Sequence, residues 1–148
     1  MPDLPDLPAP LTRRMRTAVL DLREGSPRSG FELRLHVADF LSHLERGLPG
    51  DHDLGLRTDV MTAMLARLDP AAHLGARRRP VLAAWVTRPG GLDPHESDFA
   101  WALASRQAAA ALELPVEFFA VTRSGWHHPT SGAVRRWTRL RRTTTAAA

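Results

Sequence analysis

The chain of 148 residues carries a formal net charge of +4 and contains no cysteine, which excludes a disulfide framework and a thiolate metal site. No apolar run reaches the roughly 18 residues that a membrane span needs, and the acidic, proline-rich N-terminus does not resemble a signal peptide. We therefore expect a cytoplasmic protein with one domain over residues 11–142. Residues 1–10 are predicted to form a flexible arm and residues 143–148 a disordered tail.

Arginine supplies all 20 basic residues, because lysine is absent. Isoleucine, asparagine and tyrosine are absent too, a composition typical of a high-GC genome. The charge is unevenly distributed, since residues 1–117 hold 14 Arg and all 16 acidic residues, whereas residues 118–148 hold 6 Arg and no acidic residue. The basic C-terminal part is therefore where an anionic partner is expected.

Three helices are predicted in the N-terminal half. Apolar residues recur at helical spacing over 11–24 and again over 60–68. Between them, the segment 30–47 is ambiguous, because the alternation in 31–37 indicates a strand whereas the spacing in 37–44 indicates a helix. A helix is preferred for this segment, and 31–37 stays open to a strand.

Three polar residues of that second predicted helix, His36, Asp39 and His43, follow one another at one-turn spacing. They would share one face of the helix. The favoured interpretation is a solvated or interhelical polar face.

The segment from Val81 to Trp126 predicts a strand, a helix and a second strand. The apolar run at 81–86 is typical of a strand buried on both faces, and Asp93 marks the start of a helix. Residues 116–121 favour a strand. Because such connections are right-handed and parallel, the two strands should be parallel neighbours whose matching Val-Thr-Arg ends lie at the same edge of the sheet.

That shared edge is the predicted anion-binding site, since ligands of parallel sheets tend to bind at the carboxyl edge and a helix N-terminus there attracts anions. Guanidinium groups suit phosphate or carboxylate. In the alternative interpretation, the two arginines pair with nearby acidic residues and hold the loops. The predicted site comprises Thr87, Arg88, Thr122 and Arg123.

A metal site at the same edge is the lesser alternative, and no cofactor is predicted. Its ligands would be of a suitable type but at a spacing that matches no strong motif. They would be His95, Asp98, His127 and His128. Ser131 and Ser124 also lie near His128, yet no acidic residue in that segment would orient a Ser–His pair.

The last predicted strand, residues 133–141, would be an antiparallel hairpin partner of the second strand. Its alternation places one aromatic residue among arginines on a single face, a feature of nucleic-acid surfaces. The alternative is an edge strand that uses charge to resist pairing with another sheet. The candidate nucleic-acid residues are Arg135, Trp137, Arg139 and Arg141.

The segment from Val81 to Trp126 also resembles the metal-binding segment of the JAB/MPN family, which includes the bacterial RadC-type proteins. In that family a strand ends in His-x-His-Pro, a glycine-containing loop follows, and Ser and Asp open a helix that leads to another strand. Here residues 86–91 occupy the place of the histidine motif but contain neither of its histidines, and Asp98 matches the family's Asp. The resemblance covers under a third of the chain and implies a hairpin near 17–37. It implies a degenerate member without the family's zinc.

The sequence therefore predicts an α/β domain in which three N-terminal helices precede a small mixed sheet, ordered strand-helix-strand-strand, with the first two strands parallel. Its open edges are compatible with a homodimer. The leading hypothesis is a non-enzymatic module that binds an anion, either nucleic acid or a phosphorylated small molecule. The alternatives are a small metal-dependent hydrolase or nuclease with its site at the carboxyl edge, and a structural or partner-binding protein.

Overall fold

A computed structural model gives the structure of the protein and describes residues 7–27, 30–39, 41–48, 50–68 and 81–142. These residues form a mixed α/β fold with three helices and one sheet of six strands. The helices are α1 Ala9–Gly25, α2 Leu54–Leu68 and α3 Glu96–Leu112. The strands are β1 Arg34–Ala38, β2 His43–Gly47, β3 Leu82–Thr87, β4 Val116–Thr122, β5 Gly125–His128 and β6 Ala133–Arg136.

The strand order across the sheet is β2-β1-β3-β4-β5-β6. Strands β3 and β4 are parallel, from Leu82 opposite Val116 to Thr87 opposite Val121, and all other neighbours are antiparallel. The prediction of two parallel neighbours joined by a crossing helix is confirmed. The two Val-Thr-Arg ends do lie side by side, since the backbone N–H of Arg88 donates to the carbonyl of Val121 at 3.1 Å.

Helices cover both faces of the sheet. Helix α1 packs on one face, against Trp85, Phe119 and Trp126. Helices α2 and α3 pack on the other, against residues that alternate with these along the strands. All six residues of β3 are buried as a result, as a continuous apolar run predicts.

The prediction of a helix over residues 30–47 is wrong, because this segment forms the β1–β2 hairpin. Leu35 and Val37 are fully buried on the α2 and α3 side, and Ala38 is buried on the α1 side. Leu41, which belongs to the competing helical spacing, is 72% exposed. The alternating pattern of residues 31–37, rather than the helical spacing, determines the structure because β1 is covered on both faces. This burial fixes the register of the strand.

A local side chain stabilises the turn between β1 and β2. The Asp39 carboxylate accepts hydrogen bonds from the backbone N–H groups of Leu41 and Ser42, at 2.8 and 2.6 Å. An aspartate that binds backbone N–H groups ahead of it stabilises a turn and competes with helix.

The predicted strand over residues 133–141 is shorter than expected and pairs differently. Strand β6 ends at Arg136 and pairs with β5 rather than β4, because β5 lies between them in the sheet. The reversal after β4 is tight, with Thr122 opposite Gly125. Gly125 is required there, because a Cβ at this position would lie 1.9 Å from the carbonyl oxygen of Arg135.

The hairpin that the JAB/MPN resemblance implies near residues 17–37 is not found there, because residues 17–25 belong to α1 and the hairpin of this chain lies at 34–47. No helix among the described residues is long and apolar enough to cross a membrane. Most of the predicted arm and the whole predicted tail lie outside the described residues.

Candidate functional site

The carboxyl edge of β3 holds a buried ion cluster formed by Arg88, Asp98 and His127, which we call the edge cluster. The Asp98 carboxylate accepts two hydrogen bonds from the Arg88 guanidinium, both at 2.8 Å, and one from His127 Nε2 at 2.8 Å. The side chains of Arg88 and His127 are each 4% exposed, and that of Asp98 is 0% exposed.

The guanidinium and the carboxylate of the edge cluster bind groups of the protein itself. The remaining N–H groups of Arg88 donate to the carbonyls of Pro89, Gly91 and Asp93, so one guanidinium fastens the loop to the start of α3. Burial alone would raise the pKa of Asp98, but hydrogen bonds from His127, Arg88 and the His95 backbone hold it well below its ordinary value. A carboxylate that is ionised and saturated in this way stabilises the loop.

The other residues of the predicted anion site also have internal partners. The Arg123 guanidinium donates to the carbonyls of Leu22, Arg23 and Ser26 at the C-terminal end of α1, where cations are favourable. Thr122 Oγ1 accepts from the backbone N–H of Ser124. A cavity of about 340 Å³ lies between the strand ends and is lined by Arg123, whereas Arg88 is directed to Asp98. These contacts favour the interpretation in which both arginines hold loops.

The four residues of the metal alternative are divided in the structure. Asp98 and His127 belong to the edge cluster, whereas His95 is exposed at the start of α3. His128 makes separate contacts, with Ser131 Oγ at its Nδ1 and Glu117 Oε2 at its Nε2, both at 2.6 Å.

Glu117 supplies the acidic partner that the sequence near His128 lacks, because it reaches across from β4. Ser131 Oγ also accepts from the backbone N–H of Ala133 at 3.2 Å. The three side chains therefore connect the β5–β6 turn to β4.

A second polar group lies on the β1–β2 hairpin and consists of His36, His43 and Glu45, which we call the hairpin cluster. His36 Nδ1 lies 2.9 Å from His43 Nε2 and 3.5 Å from Glu45 Oε2. Among the described residues, the hairpin cluster is the group of His and acidic side chains whose potential metal-ligand atoms lie close together. These atoms are all within 4.8 Å of one another. His36 is buried, whereas His43 and Glu45 are exposed.

Strand pairing explains why these three side chains meet. His36 lies opposite Glu45, and Ala38 lies opposite His43, so both partners face His36 from β2. The helical spacing of His36 and His43 also predicted their proximity, but for the wrong reason. Glu45 was missed, because only a hairpin places it beside His36.

The cluster opens into a cavity of about 530 Å³ between the sheet and the C-terminal half of α1. Trp85 lines the cavity and stacks on the His36 ring at 5.0 Å and on the His43 ring at 5.2 Å. Thr87 fixes the far side of the His36 ring, since its Oγ1 lies 3.0 Å from His36 Nε2. Asp21 of α1 and Arg34 of β1 complete the charged part of the wall.

The environment keeps both imidazoles of the hairpin cluster neutral. Burial, together with His43, Arg34 and Arg14, lowers the pKa of His36 to about 3. Burial and Arg14 lower the pKa of His43, against the opposing effect of Glu45 and Asp21. At neutral pH, therefore, each ring nitrogen carries either a lone pair or a hydrogen atom, and neither ring is charged.

The C-terminal segment presents exposed arginines. Arg135 and Arg136 of β6 are exposed, as are Arg139 and Arg141 beyond it; we call these four residues the arginine surface. Trp137 is half-buried against the core under α1, and the Arg135 guanidinium lies over its ring at 5.3 Å.

No family model, curated protein or solved structure matches the chain.

Proposed function

We propose that the protein is a non-enzymatic module that binds nucleic acid through the arginine surface, with little preference for sequence. The observation that carries the proposal is the exposure of four guanidinium groups within seven residues of chain. Among the described residues, none of the four has a carboxylate within ion-pair distance. Such groups are free to neutralise phosphates and release counterions, the main source of non-specific affinity.

The backbone that carries the arginine surface is fixed to the domain. Arg23 donates to the carbonyl of Trp137 at 2.7 Å, Arg16 donates to the carbonyl of Arg141, and Arg142 pairs with Asp21 and Glu24. Arg142 is thereby neutralised, while its neighbours stay available. A segment held in place loses less conformational entropy on binding than a free tail would.

Phosphate contacts are expected to dominate over base stacking. Trp137 is half-buried, and Arg135 lies over its ring, so a base can stack on it only after Arg135 moves away. A Trp137→Ala substitution should therefore weaken single-strand binding by no more than the lower part of the roughly 1–3 kcal/mol range for stacked bases.

The test is a fluorescence-anisotropy titration with labelled single-stranded and duplex DNA over a range of salt concentrations. The triple variant Arg135, Arg139 and Arg141→Ala should bind more weakly, and its salt dependence should be flatter by about 0.9 units of slope per lost duplex phosphate contact. The matched control removes the same charge from exposed arginines elsewhere, namely Arg46, Arg67 and Arg106→Ala.

The control should bind with an unchanged salt slope if the arginine surface is the contact. Equal weakening in both triple variants would mean that net charge alone attracts the nucleic acid. Absence of wild-type binding at low salt would contradict the proposal, and the C-terminal arginines would then serve to protect the sheet edge.

A further inference from the structure

We propose that the hairpin cluster is a binding site for one divalent metal ion of the zinc class, with His36 Nδ1, His43 Nε2 and Glu45 Oε2 as its ligands. This site is separate from the arginine surface and does not depend on nucleic-acid binding.

The spacing of the three ligand atoms is close to what such an ion requires. Ligands at about 2.0–2.1 Å from a tetrahedral centre lie roughly 3.3 Å apart. His36 Nδ1 is 2.9 Å from His43 Nε2 and 3.5 Å from Glu45 Oε2. The ligand atoms of all three residues lie within 4.8 Å of one another, so an ion can replace the hydrogen bond between the rings once the exposed side chains of His43 and Glu45 move closer to it.

The chemistry of the ligands selects the class of metal. Two imidazoles and a carboxylate suit zinc and neighbouring transition metals rather than magnesium or calcium, which prefer oxygen ligands. Three protein ligands leave one tetrahedral position for water or another ligand. The cavity of about 530 Å³ beside Trp85 and Thr87 has room for that fourth ligand.

The contacts of the His36 ring with residues other than the ligands also favour metal binding. A metal-bound histidine usually donates its other ring N–H to an oxygen, which fixes the tautomer and the ring orientation. With His36 Nδ1 on the metal, its Nε2–H would donate to Thr87 Oγ1, which lies 3.0 Å away. Trp85 stacks within 2° of parallel to the His36 ring and limits its rotation further.

The accessibility of the ligands also favours binding. Exposed His43 and Glu45 give the ion a route from solvent, and buried His36 provides the fixed ligand.

Two arginines oppose the ion and limit its affinity. Arg34 lies 3.6 Å from Glu45 Oε2, and Arg14 lies over the Trp85 ring at 5.4 Å. The Arg34 side chain is 45% exposed and is free to turn away, while Glu45 and Asp21 provide compensating negative charge. We therefore expect micromolar rather than nanomolar affinity for zinc.

The experiment is a calorimetric titration of tag-free, chelator-treated protein with zinc chloride. It is paired with the visible d–d spectrum of the cobalt form, which reports tetrahedral nitrogen and oxygen ligation. The wild type should bind one equivalent. His43→Ala and Glu45→Gln should each weaken binding by at least about tenfold, and Thr87→Val, which removes only the contact to His36, by about tenfold.

The matched control is His95→Ala, which removes an exposed histidine at the start of α3 and should bind zinc as the wild type does. Melting temperatures measured in chelator confirm that each variant is folded before it is compared. The proposal is overturned if the wild type takes up no zinc and shows no cobalt bands, if His43→Ala and the wild type bind equally, or if only His95→Ala loses the ion.

Discussion

The edge cluster and the hairpin cluster contain similar residues but differ in how their polar atoms are used. In the edge cluster, the Arg88 guanidinium and the Asp98 carboxylate bind each other, His127 and the surrounding backbone. In the hairpin cluster, two neutral imidazoles share one hydrogen bond beside a half-exposed carboxylate. In the first cluster the guanidinium and the carboxylate bind groups of the protein itself, whereas the second cluster faces a cavity.

The difference shows that burial of charge does not by itself identify a functional site. Perturbed groups occur in structural ion networks as well as in binding sites. Potential ligand atoms that converge beside a cavity are more informative, and among the described residues the hairpin cluster is the group that has them.

Removal of the guanidinium from the edge cluster should be the most damaging change. Arg88→Met leaves the Asp98 carboxylate buried without its main partner, so the free energy of unfolding should fall by roughly 3–5 kcal/mol. Urea denaturation measures the loss. Arg106→Met, at an exposed position of α3, is the control and should change stability by less than about 0.5 kcal/mol. A loss below about 1 kcal/mol for Arg88→Met would contradict a structural role.

The hairpin cluster should make the protein sensitive to mild acid. His36 has a pKa of about 3 in the folded protein against 6.5 ordinarily, so between these values the unfolded chain binds a proton that the folded protein does not. Stability should therefore fall as the pH falls from 6.5 towards 3. The contribution is at most about 3 kcal/mol between pH 6.5 and 4, at about 1.4 kcal/mol per unit.

Urea denaturation of the wild type and of His36→Gln at several pH values between 4 and 7.5 tests this sensitivity. Asp98 also resists protonation, but its ordinary pKa is 3.8, so its stabilising effect is lost only at lower pH. The slope between pH 6.5 and 4 should flatten in His36→Gln. An identical slope in both proteins would show that His36 is not the neutral, buried group described here.

The close approach of β5 and β6 should make Gly125 intolerant of a side chain. A Cβ there would collide with the backbone of Arg135, so Gly125→Ala should cost roughly 1–3 kcal/mol by overpacking. Gly91→Ala is the matched control, because a Cβ at that position has no atom within 4 Å. Thermal unfolding compares the two, and equal stability would contradict the β5–β6 pairing that positions the arginine surface.

Phosphate should have the smallest effect. The predicted anion residues Thr87, Arg88, Thr122 and Arg123 all have partners within the protein. At millimolar phosphate we expect less than about 0.4 kcal/mol of stabilisation, the value reached when the ligand concentration equals Kd. Melting temperatures in phosphate and in chloride at equal ionic strength measure it. A larger shift that disappears in Arg123→Gln would instead support anion binding at the strand ends.

Local patterns predicted the centre of the fold because they point to a single structure there. The apolar run at 81–86 and the helix start near Asp93 led to the parallel pair and its crossing helix. The hairpin at 34–47 was missed because two periodicities overlap in it, and the sequence does not say that both faces of β1 are covered. The third strand was drawn too long because a strand pattern continues past Arg136 after pairing ends.

The hairpin cluster depends on non-local pairing, which spacing along the chain does not reveal. His36 and His43 could be grouped from the sequence, but Glu45, Trp85 and Thr87 join them only through the registers of β1 with β2 and β3. For the predicted arginine pair, in contrast, similar positions in the sequence did not lead to a shared site. Arg88 and Arg123 occupy equivalent positions in two strands, yet they bind different partners because different elements lie beside each strand end.

The most direct test of the contrast is a two-bond proton–nitrogen NMR spectrum of the histidine rings, recorded before and after one equivalent of zinc chloride. We expect zinc to shift His36 Nδ1 and His43 Nε2 while the ring nitrogens of His127 and His128, which are held by Asp98 and Glu117, stay unchanged. A shift at His127 or His128, or unchanged signals at His36, would contradict the assignment of the hairpin cluster as the open site.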